Sequence, residues 1–165
     1  RQIDHQDSLT PMIGSKIVAK AWVDPVFKAQ LIAQPLKAIN DSFGLDITTP
    51  LDLVVLENTP TVHNMVVCTL CSCYPRMLLG IPPAWYKSLD YRSRVVSEPR
   101  QVLAEFGTHL PDDVEVRVSD STADLRFLVL PYQPDGTAHL SEEALAELVT
   151  RDSMIGTALP LSAST

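Results

Sequence analysis

The sequence predicts an α+β fold in which a helical arm precedes a mixed domain. Apolar residues recur at helical spacing through much of residues 15–43, and short runs of branched residues come in pairs further on. Strands and helices are segregated and do not alternate as β-α-β units. The boundary is placed at residue 50, giving an arm over 1–50 and the mixed domain over 51–165. A length of 165 residues is ordinary for one domain with an appended arm and needs no disulfide staples.

Residues 1–14 are polar and mixed, and Pro11 and Gly14 mark them as irregular surface chain. Ile17, Val18 and Ala21 then set a helical period. Asp24-Pro25 reads as an N-cap with proline at the first helical position. Phe27, Ala29, Leu31 and Ile32 give that second helix a buried side, Pro35 interrupts it, Ile39 and Phe43 continue, and Gly44 stops it. Residues 51–57 and 61–67 read as strands separated by Asn58-Thr59-Pro60. After Tyr74-Pro75 and Gly80-Ile81-Pro82-Pro83, residues 84–87 form a helical turn. A helix runs from Glu98-Pro99 to Phe106, closed by Gly107. Residues 114–118 and 125–130 alternate as strands around Ser119-Asp120-Ser121-Thr122, and a hairpin is their simplest pairing. Ser141-Glu142-Glu143 opens a last helix through Val149.

A formal net charge of -7 argues against a nucleic-acid partner, which calls for a basic face. No apolar run approaches the roughly 20 residues that span a bilayer, and Arg1-Gln2-Ile3-Asp4 is no secretory signal, so the chain reads as cytoplasmic. Arg92, Arg94 and Arg100 are the one basic concentration. They are either surface ion pairs or an interface or anion contact.

All three cysteines fall in Cys68-Thr69-Leu70-Cys71-Ser72-Cys73, directly after the second strand. That spacing lets three sulfurs converge on one metal, with the thiolate as the ligand. The amide nitrogens of Ser72 and Cys73 lie between two sulfurs and can join them once deprotonated by a strongly Lewis-acidic ion. Structural zinc wants four tetrahedral side-chain ligands, typically from two separated pairs, and only one knuckle is present. His63 can complete a three-cysteine, one-histidine zinc site, or it is a core histidine on an alternating strand.

Val67-Cys68-Thr69-Leu70-Cys71-Ser72-Cys73 resembles the metal claw of the nitrile hydratase alpha subunit, and Thr69 resembles the cobalt type, where iron-type members usually carry serine. The resemblance continues through residues 57–64, 79–87, 91–96 and 150–156 and covers nearly the whole chain from about Gly14. It implies the layered α-β-β-α fold of that chain and a non-corrin Co(III) held by Cys68, Cys71, Cys73 and the amides of Ser72 and Cys73. Cys71 matches a sulfinic acid and Cys73 a sulfenic acid, with the Cys73 oxygen as candidate nucleophile and hydroxide at the metal as its competitor. It also implies a beta-type partner of one or two chains whose arginines serve the oxidised sulfurs, a maturation activator, and an arm that wraps the partner.

Strong thiolate and amide donors stabilise a trivalent ion that polarises a bound group without transferring electrons, which suits hydration of a nitrile to its amide. Ser72 is a backbone ligand whose hydroxyl either orients solvent or merely fits the turn. Arg76-Met77 replaces the usual Trp-Pro, and Ser119 replaces a frequent tryptophan. Arg76 and Ser119 are therefore pocket candidates, and a bulky or polar nitrile such as toyocamycin is the expected substrate. The rival readings are a thiocyanate hydrolase gamma subunit, a zinc knuckle and a thiol redox sensor.

Overall fold

A computed structural model describes residues 2–70 and 73–163, with side chains from residue 13 onward. Three helices open the chain, α1 (Gln2–Val23), α2 (Pro25–Ala33) and α3 (Pro35–Phe43). The expected irregular start is corrected, because α1 runs without a break through Pro11 and Gly14. At Gly14 the reason is packing: a Cβ there would lie 2.9 Å from Met154 Sδ and 3.1 Å from the Leu78 carbonyl oxygen. The glycine lets α1 cross close to the chain beneath it, and this outweighs its poor helix propensity.

The punctuation of the arm is as expected. Asp24 Oδ1 accepts from the amides of Val26 and Phe27, capping α2, and Gly44 closes α3 in the left-handed region at φ 63°. Phe27 and Leu31 are buried, whereas Ala29 and Ile32 face solvent. Ile17, Val18, Ala21, Phe27, Leu31 and Ile39 share one core with strand residues Leu53, Met65, Val67, Leu128 and Leu130.

The strands among the described residues are β1 (Asp52–Glu57), β2 (Val62–Val67), β3 (Glu115–Asp120) and β4 (Leu125–Leu130). The expected hairpin of β3 with β4 does not form. β3 pairs in parallel with β2, from Val62↔Glu115 to Val67↔Asp120. β4 pairs in parallel with β1, from Asp52↔Leu125 to Glu57↔Leu130. Each pair of consecutive strands is thus an arch between two sheets, turned at an isolated antiparallel bridge, Thr59↔Val62 or Thr122↔Leu125. An arch lets both strands of a pair turn apolar faces inward, which a short two-stranded hairpin cannot do alone. β2 is accordingly buried from His63 through Val67.

Between β2 and β3 the chain forms α4 (Arg76–Leu79), α5 (Ala84–Lys87), α6 (Leu89–Ser97) and α7 (Pro99–Glu105). Helices α4 and α6 are additions to the sequence reading. Ser88 caps α6 by accepting from the Tyr91 amide. The last expected helix is shorter, α8 (Glu142–Ala146), and a separate α9 (Arg151–Ile155) begins in a capping box formed by Thr150 and Ser153.

Buried polar groups lock the first arch to α9. His63 Nε2 lies 2.6 Å from the Gly156 carbonyl oxygen, which can only accept, so Nε2 carries the proton. Asn58 Oδ1 accepts from the Asn64 amide at 2.8 Å, which turns Asn58 Nδ2 toward His63 Nδ1 at 3.4 Å. Both ring nitrogens are engaged, so His63 is the core histidine and offers no lone pair to a metal. At Gly156, φ is 102°, and a Cβ would run into the Asn64 carbonyl and come within 2.7 Å of Met65 Cα.

Burial lowers the His63 pKa from its ordinary value, against a smaller opposing effect of the Gly156 hydrogen bond. The neutral ring therefore stabilises the fold above the unfolded pKa, and that contribution is lost as pH falls through the folded one. Chemical denaturation from about pH 7 to 5 should show declining stability, with a flatter slope in His63→Gln despite its lower stability at neutral pH. Gly156→Ala should cost on the order of 3 kcal/mol or more in the same assay.

Candidate metal centre

The parallel register creates the frame of the cysteine loop. Because Val67 pairs with Asp120, the ends of β2 and β3 lie side by side, and the Ser121 amide extends the ladder to the Val67 carbonyl at 2.7 Å. The chain leaves β2 directly into Cys68, which is fully buried. Thr69 then meets Asp120 twice, its amide donating to Oδ1 at 2.8 Å and its hydroxyl to Oδ2 at 2.6 Å. Hydrogen bonds to an ionised acceptor are the strong kind.

Helix α6 holds the same segment from another side. Arg92 Nε donates to the Cys68 carbonyl at 3.1 Å and its Nη2 to the Thr69 carbonyl at 2.8 Å. Tyr91, one residue earlier and buried, donates its hydroxyl to the Val66 carbonyl at 2.8 Å. The far end of the loop is held by α5, where the Tyr86 hydroxyl donates to the Cys73 carbonyl at 2.8 Å. Burial raises the phenol pKa of Tyr86 well above its ordinary range, so this hydroxyl keeps its proton through neutral pH.

These tyrosines stand in an aromatic cluster. Trp85 packs edge-on against Tyr91 and Phe106 at centroid distances of 4.9 and 4.7 Å, and Tyr74 against Tyr86 at 5.0 Å. The loop therefore rests on a rigid apolar base while carboxylate, guanidinium and phenol fix its backbone. A metal site needs donors held in this way.

Of the sequence-derived site residues, Cys68 sits at the strand end and Cys73 is partly buried across the loop, whereas Cys71 and Ser72 lie outside the described residues. Among the described residues no three of His, Cys, Asp or Glu converge as a metal cluster. The described sulfurs nonetheless fit a thiolate-rich ion in kind, a soft donor in a dry wall and a second at its rim. Arg76 opens α4 with an exposed side chain. Ser119 lies in β3 opposite Val66, half-buried.

The three arginines have separate tasks. Arg92 serves the loop. Arg94 pairs with Asp90, Glu98 and Glu105 at the surface. Arg100 donates to the carbonyls of Leu110, Pro111 and Val114. The roles of Arg92, Asp120 and Tyr86 are additions to the sequence reading. Thr69 and Asp120 stand 51 positions apart, and no local spacing announces such a contact.

Tyr86→Phe removes the one hydroxyl and leaves the Cys73 carbonyl without that donor. The thermal transition should fall by roughly 1–2 kcal/mol in stability, with near-UV circular dichroism of the aromatic cluster retained.

The family model for the nitrile hydratase alpha chain matches residues 1–158. The low-molecular-weight cobalt-containing nitrile hydratase alpha subunit of Rhodococcus rhodochrous is 53% identical over 167 residues, covering 98% of this chain and 80% of that one. The cobalt-containing alpha subunit of Pseudonocardia thermophila is 50% identical, covering 92% of this chain and 74% of its own. The thiocyanate hydrolase gamma subunit of Thiobacillus thioparus is 45% identical, covering 95% and 69%. Among solved structures, a double mutant of the iron-type nitrile hydratase of Comamonas testosteroni Ni1 superposes with a TM-score of 0.89 at 45% identity, covering 98% of this chain and 82% of that one. A recombinant thiocyanate hydrolase with partially modified cobalt centres gives 0.87 at 44%, with the same coverage.

Proposed function

The chain belongs to the nitrile hydratase alpha-chain family, and from that membership we propose that it is the metal-bearing subunit of an enzyme that hydrates a nitrile to its amide. The observation that carries the reading is the cysteine loop clamped by Asp120, Arg92 and Tyr86 at the ends of two parallel strands. Cys68, Cys71 and Cys73 with the amides of Ser72 and Cys73 would hold the ion. Two cobalt-containing relatives at half identity or better favour a non-corrin Co(III). Bound there, the ion supplies Lewis acidity toward the nitrile without redox change.

The residues of this chain supply the rest. Burial of Cys68 shields its sulfur, while Cys73 at the rim is open to oxidation, consistent with Cys71 as sulfinic acid, Cys73 as sulfenic acid and Cys68 as plain thiolate. The Cys73 oxygen would then be the candidate nucleophile for the nitrile carbon, with hydroxide at the metal as its competitor. Its backbone is restrained by a phenol that stays protonated. Ser72 lies between those two positions in sequence, where its hydroxyl either orients solvent or merely fits the turn.

Leu70 in the loop is 85% exposed and Leu89 at the start of α6 75% exposed, and large apolar side chains left open to solvent call for a covering chain. A beta-type partner provides that cover and the cations for oxidised sulfurs, and a maturation activator loads the metal. The helices over 1–50 carry further exposed apolar side chains, Val23, Val26 and Ile32, for wrapping it.

Protein matured with its partner in cobalt-supplemented cells should contain about one cobalt per chain and absorb in the visible. Colourless protein with stoichiometric zinc overturns the proposal. Cys73→Ser should retain some metal and lose hydration, measured as amide released. Mass spectra of active enzyme with three unmodified cysteines would end the oxidation reading.

Arg76 stands at the start of α4, three residues past Cys73, with an exposed side chain. As a guanidinium it opens space and adds donors, favouring a bulky or polar nitrile, with Ser119 widening the same pocket. In Arg76→Trp, kcat/KM for a polar bulky nitrile should fall while that for a small aliphatic one holds or rises. Equal responses remove Arg76 from the selector role. The likeness to a thiocyanate hydrolase gamma subunit motivates the second reading, attack on thiocyanate. Turnover of thiocyanate in preference to every nitrile tried would establish it.

A further inference from the structure

The peptide group joining Cys68 to Thr69 is held at both ends by charged side chains. Its N–H donates to Asp120 Oδ1 at 2.8 Å, and its carbonyl accepts from Arg92 Nε at 3.1 Å. The following carbonyl, of Thr69, accepts from Arg92 Nη2 at 2.8 Å. A guanidinium is a rigid planar fork, so two nitrogens on two successive carbonyls fix the relative direction of both peptide planes. A lysine ammonium is a point charge on a flexible stem and cannot impose that relation.

Arg92 is half-buried and makes no ion pair within 4.0 Å among the described residues. Its hydrogen bonds are directed at the loop's backbone carbonyls. Asp120 holds the N–H end of the same peptide, so the group is pinned from both sides.

We propose that Arg92 is a positioning residue for the metal centre, which by forking onto the Cys68 and Thr69 carbonyls against Asp120 fixes the backbone that presents the Cys68 sulfur. The inference rests on reading the loop as a metal claw. It goes further in assigning the claw's geometry to a side chain 24 positions away that binds no metal.

The test uses the full chain matured with its partner in cobalt-supplemented cells, as unchanged protein, Arg92→Lys and Arg92→Gln. Cobalt per chain after a chelator challenge, the visible absorption band and the thermal midpoint are measured, with amide exchange at Thr69 in the metal-free chain. Arg92→Lys should keep its fold and charge yet shift the band and lose cobalt several-fold faster, and Thr69 exchange should rise roughly ten-fold. A Lys variant that matches the unchanged protein in band and cobalt retention overturns the proposal, as does unaltered exchange. Should neither Arg92 variant fold, Asp120→Asn must shift the band for the proposal to stand. Unchanged protein without cobalt defeats the metal reading itself, while the exchange experiment still decides whether Arg92 holds the peptide.

Discussion

The parallel register of Val67 with Asp120 is the constraint on which the centre depends. Strands that ran as a hairpin would carry the end of β3 away from the end of β2. In the observed pairing the two ends coincide, and the carboxylate at one meets the amide and hydroxyl that follow the other. The crossover that parallel pairing requires is occupied by α4 to α7, which bring Tyr86, Tyr91 and Arg92 back onto the loop. Sheet topology and site geometry are therefore one problem with one solution.

Features set by neighbours in sequence were legible in the sequence. The Asp24 cap, the Gly44 stop, both strands before the cysteines and the thiol cluster each follow from residues within a few positions of one another. The features that escaped depend on distant partners. Gly14 reads as a breaker until Met154 and Leu78 are seen against it, and the residues between β3 and β4 read as a hairpin turn until each strand is seen to have a different partner. Arg92 looked like one of three clustered arginines, yet the three reach into a peptide loop, a carboxylate group and a set of carbonyls.

Thr69 shows how motif and structure divide the information. Its hydroxyl donates to Asp120, and a serine hydroxyl could donate in the same way. The hydrogen bond therefore does not separate the cobalt-like residue from the iron-like one. What differs is a methyl group on a half-buried residue. Any influence on metal choice must act through the volume and stiffness of that β-branched side chain, not through a lost or gained donor.

The 51 positions between Thr69 and Asp120 have a meaning for biosynthesis. On the ribosome the cysteines emerge well before the strand that frames them, and a loop closed over that distance forms late. Until β3 docks, the three thiols belong to an open chain, able to take up a softer or more abundant ion, or to oxidise without order. The order of synthesis thus sets a window of chemical vulnerability. Docking of β3 is the earliest point at which Asp120 can hold Thr69.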